Sequence, residues 1–180
     1  MNYQKISEIY EANDKIRAKL KEFVASLTDE QANFLPEGEK WTAANIVEHL
    51  SMVENSMARI SAKLLNEAKS KGEKSSGEAK ISEEFLQKLV TGKDQKFEAP
   101  ERVHPSGQLS ITESLAAMDE NGQKLEELRP LFESVECSDF KFPHPAFGNL
   151  SAHEWLALLG GHTARHLRQI QNIIERAAKP

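Results

Sequence analysis

The chain has a single cysteine, Cys137, which rules out an intrachain disulfide and with it the disulfide-stapled secreted scaffolds. Aromatics make up only 7%, and 9 glycines and 7 prolines are few for 180 residues, which disfavours a sandwich of many short strands and favours helices. No apolar run approaches the roughly 20 residues that span a bilayer, so no membrane helix is expected. Residues 1–15, MNYQKISEIYEANDK, are too polar for a secretory signal, and a cytoplasmic protein is the expectation. Basic charge is not in excess either. The formal net charge is −5 with both signs interspersed, which argues against nucleic acid as a partner. What remains is long enough to bury one substantial core.

That core is written at helical spacing. Residues 3–27 place Tyr3, Ile6, Tyr10, Ile16, Leu20, Phe23, Val24 and Leu27 on one stripe, interrupted by Asn13. Asn13 reads either as a polar gap or core hydrogen bond, or as a side chain facing a pocket. Residues 28–40 read as a short helical turn, capped by Thr28 with Gln31, and then a loop closed by Pro36 and Gly38. A second long helix begins at a Thr42 cap, with Trp41 and Ile46 spaced as a hydrophobic staple. Its stripe is Ile46, Leu50, Val53, Met57, Ile60 and Leu64; His49 borders that stripe, beside the polar Asn45. Glu48 is expected to face solvent.

Residues 66–80, NEAKSKGEKSSGEAK, form a polar low-complexity break expected to be mobile. A short helix over 82–90 and an extended crossover over 91–109 follow, with His104 in the crossover expected to be exposed. A third long helix is capped by Ser110 and Glu113, and Gly122 interrupts its stripe, through close packing or as room for a ligand. Residues 134–149 read as a loop in which His144, between Pro143 and Pro145, either lines a pocket mouth or holds a turn. The fourth helix opens on the Ser151–Glu154 box with Leu150 and Trp155 as its staple. The sum is an all-α four-helix bundle. Its long crossover contains an extra short helix, and residues 1–180 form one domain.

The fourth helix carries the chemistry. His162 and His166 are four residues apart and leave the same face, which is otherwise apolar. A pair at this spacing serves either as hydrogen-bonded core histidines or as two ligands of one ion, with a third supplied by a neighbouring helix. His49 is the natural third. The segment is not the H-E-x-x-H of zinc proteases, because Thr163 follows His162 and no glutamate stands there as a base. His153, nine residues before His162, is expected on the opposite, outer side. Whether the second and fourth helices run parallel or antiparallel is open from the pattern, and only an offset would bring the histidines level if they are antiparallel.

Three stretches together resemble the DinB-like (YfiT-like) family of small four-helix metalloproteins. They are Trp41-Thr42-Ala43-Ala44-Asn45-Ile46-Val47-Glu48-His49-Leu50, His144-Pro145-Ala146-Phe147-Gly148, and Gly161-His162-Thr163-Ala164-Arg165-His166-Leu167-Arg168-Gln169-Ile170. The resemblance implies that His49, His162 and His166 bind a divalent metal, zinc or nickel, with Asn13, Asn45, Arg165 and His144 as substrate-pocket groups. It also implies an enzyme that transfers a low-molecular-weight thiol, of the bacillithiol or mycothiol kind, to a small electrophile. The alternatives are a metal-dependent hydrolase, weakened by the lack of a carboxylate base, and a non-catalytic metal-binding or dimerisation module. A homodimer would use an outer stripe of helix four formed by Leu156, Leu167 and Ile174.

Overall fold

The computed structural model describes residues 3–72, 74–91 and 98–178. Four long helices make the bundle: α1 (Ile6–Ala25), α3 (Ala43–Lys71), α5 (Ile111–Ser134) and α6 (Ala152–Ala177). Two short helices, α2 (Asp29–Asn33) and α4 (Glu83–Thr91), lie in the connections, with a 3-10 turn at Glu101–Val103. The helices start where local chemistry starts them. Thr28, Thr42, Ser110 and Ser151 each accept a hydrogen bond from the backbone of the residue three further on, and that residue's side chain returns it to the cap.

The packing fixes the directions. Tyr10 Oη donates to the Leu125 carbonyl and Arg17 Nη1 to that of Met118, so α1 and α5 are antiparallel. The apolar side chains fall into two cores. One joins Ile6, Ile9 and Tyr10 to Leu64, Leu65, Phe132, Trp155 and Leu158. The other joins Leu20 and Val24 to Ile46, Val47, Leu50, Met118, Ile170 and Ile173. The early half of α3 therefore meets the late half of α6, and these two helices are antiparallel. α1 and α6 run in the same direction.

A polar waist separates the two cores. Asn13, Ser51, Glu54, Asn121 and Thr163 are all buried there, and Arg17 reaches across it from α1 to pair with Glu54 on α3. Arg17 also bonds the Met118 carbonyl, whereas the second Glu54 oxygen is buried without a partner and burial raises the Glu54 pKa to about 7. Gly122 makes the room. A Cβ there would stand 2.6 Å from Arg17 Nη1, so the gap in the α5 stripe holds a side chain of this chain itself.

Several expectations change. The polar stretch from residue 66 is not a break: α3 continues to Lys71 and ends on Gly72, whose φ of 77° supplies the left-handed cap. Ala68 is fully buried, so composition hid a helix face that packs. The segment after it makes backbone bonds to the bundle. Ser75 N–H donates to the Ser134 carbonyl and Ala79 N–H to that of Gln4; residue 73 lies outside the described residues. Within the segment read as a loop over 134–149, an antiparallel hairpin pairs Lys141–His144 (β1) with Gly148–Ser151 (β2). Leu156 and Leu167 are buried within the chain's own core and Ile174 packs against it, so the stripe offered for a dimer is filled internally. Among the described residues, no helix is long and apolar enough to cross a membrane.

Candidate metal centre

His49 sits two turns into α3, and His162 and His166 sit on successive turns of α6. The antiparallel pair is offset. His49 lies six residues after Ala43, whereas His166 lies eleven before Ala177. The surplus of α6 runs past the start of α3 to the preceding loop, where Arg176 bonds the Glu37 carbonyl and Glu39. That overshoot brings the three rings level. Their centroids are 5.3 Å (His49–His162), 5.1 Å (His49–His166) and 4.4 Å (His162–His166) apart.

Hydrogen bonds select which nitrogens face inward. His49 Nδ1 is 2.7 Å from the Val103 carbonyl, a group that can only accept, so Nδ1 carries the proton and Nε2 offers a lone pair. His166 Nδ1 is 2.9 Å from Gln169 Oε1, which sets the same tautomer. His166 Nε2 then stands 3.2 Å from His162 Nε2. Two nitrogens bound to one ion at about 2.0–2.1 Å stand roughly 3 Å apart, so this spacing suits a shared metal. One ligand atom from each of the three histidines lies within 4.8 Å of the others. His162 Nδ1 is buried without a hydrogen-bond partner.

All three rings are held neutral, the state that ligates. Burial lowers the pKa of His49, with His104 and Arg165 adding to it and the Val103 bond opposing. His166 is lowered to about 3, first by burial and then by His49 and Arg165. His162 falls well below its ordinary value through burial, the other two histidines, Arg165 and His144. Arg165 thus acts on every ring of the trio, and no carboxylate appears among these influences.

The remaining site residues separate. His144 ends β1 with its ring 5.2 Å from Trp155. Its Nδ1 accepts from the Ala146 and Phe147 N–H groups, leaving the proton on Nε2, and burial followed by Arg102 lowers its pKa to about 4. Asn45 is committed to the α3 cap, exchanging bonds with Thr42. Asn13 is buried in the waist and donates to the Leu156 carbonyl, with its Oδ1 tucked against Gly160. His104 is exposed, as expected, and meets Trp41 edge to face.

Two readings are corrected. His153 is fully buried: its Nδ1 accepts from Lys80 N–H, because the crossover and the end of α5 cover the side of α6 that a bare helix would expose. Glu48 is buried at 2% exposure and accepts from Ser106 N–H, Ser106 Oγ and Gly107 N–H. Val103, Gln169 and Glu48 are the contributors that sequence reasoning missed. Gln169, three residues after His166, carried a signal in the i, i+3 spacing. Val103 supplies only a backbone carbonyl and carried none.

Fold and site together define a helical-bundle protein with a three-histidine centre fit to hold a metal ion. The chain belongs to the DinB superfamily, whose family model matches residues 12–170. It is 26% identical over 153 residues to the uncharacterized protein YuaE of Bacillus subtilis (strain 168), covering 83% of this chain and 87% of that one. A solved structure, the four-helix bundle protein TT2238, matches with a TM-score of 0.62 at 23% identity. The match covers 92% of this chain and 98% of that one, and it shows the shared fold.

Proposed function

We propose that this protein is a divalent-metal-dependent enzyme that transfers a low-molecular-weight thiol to a small electrophile. The observation that carries the reading is the convergence of three neutral imidazoles, two of them fixed with Nε2 inward by bonds to Val103 and Gln169. His49, His162 and His166 would hold the ion, and an imidazole set suits zinc or nickel. Three protein ligands leave a position open, the arrangement of catalytic rather than structural sites. The ion, when bound, would supply Lewis acidity that favours the thiolate form of a thiol near neutral pH.

The chain's own groups shape what enters. Arg165 lies within electrostatic reach of all three rings and favours an anionic cosubstrate. His144 Nε2–H is a donor at the hairpin that packs on Trp155, suited to orienting a polar group of the electrophile. In the reaction the sulfur pair forms a C–S bond as the leaving group departs with the electrons of the bond it breaks. Hydrolysis is the weaker reading, because the groups acting on the trio include no carboxylate to take a proton from water. The test has two parts. Metal content is measured for the wild type and for His49→Ala and His166→Ala; equal metal in all three defeats the site. Turnover of monochlorobimane is then followed with several thiols, and no turnover with any of them defeats the transferase reading.

A further inference from the structure

Glu48 and His49 are neighbours on α3, and both grip the crossover that follows α4. His49 donates to the Val103 carbonyl. Glu48 accepts three bonds further along the same segment, at 2.8 Å from Ser106 N–H, 2.6 Å from Ser106 Oγ and 2.9 Å from Gly107 N–H. The Glu48 side chain leaves the helix about 100° from His49, so the two do not compete for one partner. Trp41, just before α3, adds a third hold through His104. The turn Glu101–Val103 leads into these anchors, and its last carbonyl sets the His49 tautomer.

We propose that Glu48 is a positioning residue for the ligand His49: it clasps Ser106 and Gly107 so that the Val103 carbonyl stays on His49 Nδ1 and keeps Nε2 turned to the metal. The buried Val103 side chain seats its own residue, and the clasp three residues further on ties the rest of the long crossover to the same stretch of α3. A carboxylate offering both oxygens to consecutive N–H groups is the device that fixes its register. Outer partners of metal-bound histidines set ring orientation and basicity, and their loss typically weakens metal binding about 10–100-fold. Here the segment that carries the partner is itself held by a carboxylate-to-backbone contact. The inference rests on His49 being a ligand but not on the reaction.

The experiment compares Glu48→Gln, Ser106→Ala and Glu54→Gln with the wild type. Glu48→Gln keeps the side-chain size but turns one acceptor into a donor facing an N–H. Ser106→Ala removes one of the three bonds. Glu54→Gln alters another buried carboxylate of the same helix, one that serves Arg17 and not the crossover. Two quantities are read: affinity for zinc by competition with a chromophoric chelator, and the His49 tautomer of the metal-free protein from its ring-nitrogen NMR shifts. Glu48→Gln should weaken zinc about 10–100-fold and mix the His49 tautomers, Ser106→Ala should do less of both, and Glu54→Gln should do neither. Unchanged affinity and an unchanged Nδ1–H tautomer in Glu48→Gln would overturn the proposal, as would an equal loss in Glu54→Gln. A wild type without zinc affinity would defeat the metal reading, while the tautomer would still decide whether Glu48 positions His49.

Discussion

Acid should unfold the metal-free protein through its histidines, and His166 allows the effect to be sized. In the unfolded chain its imidazole takes a proton near pH 6.5. In the folded chain burial, with His49 and Arg165, holds it neutral down to about 3. Between these values the unfolded state binds more protons than the folded state, so stability falls as pH falls. It is fully present above 6.5 and is lost at about 1.4 kcal/mol per pH unit below it. From pH 8 to pH 5 His166 alone therefore removes about 2 kcal/mol, a substantial share of the stability of an ordinary domain. The assay is urea unfolding of metal-stripped protein at pH 8, 6 and 5, where such a loss moves the midpoint by about 1 M. His166→Leu isolates the term. Folded His166 is neutral across this range, so its removal takes away only the proton its unfolded form binds, and the slope should fall by about one proton. A variant whose midpoint falls with acid as steeply as the wild type would refute the reasoning, because the folded state would then bind the proton as readily as the unfolded one.

Three further outcomes follow from the packing. Gly122→Ala should destabilise by about 2–3 kcal/mol by chemical denaturation. The new Cβ would displace Arg17 and strand Glu54, a loss only partly offset by the roughly 1 kcal/mol gained in helix propensity. A milder loss is expected when Arg17→Met and Glu54→Leu are already present, since no charge is then left unpaired. Gly160→Ala should cost about 1–3 kcal/mol, because its Cβ would meet Asn13 Oδ1 at 2.2 Å and break the bond to Leu156; Asn13→Ala in the same chain should remove most of that cost. Saturating zinc should raise the thermal midpoint of the wild type and leave that of His162→Ala unmoved in a calorimetric scan.

What could be read in the sequence was local, and what could not be read depends on the surroundings. The caps at Thr42, Ser110 and Ser151 were legible because a hydroxyl and its partner three residues on decide the helix start by themselves. The common face of His162 and His166 follows from one helical turn. The side of α3 that bears Glu48 was not legible, because a segment more than 50 residues away covers it, and no periodicity within α3 records a covering loop. The hairpin at 141–151 was hidden by Pro143 and Pro145, which usually mark loops but sit comfortably in a two-stranded ribbon with free edges. Asn13 and Gly122 lie between these cases. Each was visible as an interruption of an apolar stripe, yet neither stripe says what the interruption serves. In the fold both belong to one layer: Gly122 admits Arg17, Arg17 meets Glu54, and Asn13 binds α6 nearly two turns before His162. Irregularities in separate helices that fall at one level of a bundle have a common cause. Here that cause is a polar waist, which divides the core in two beside the three-histidine centre.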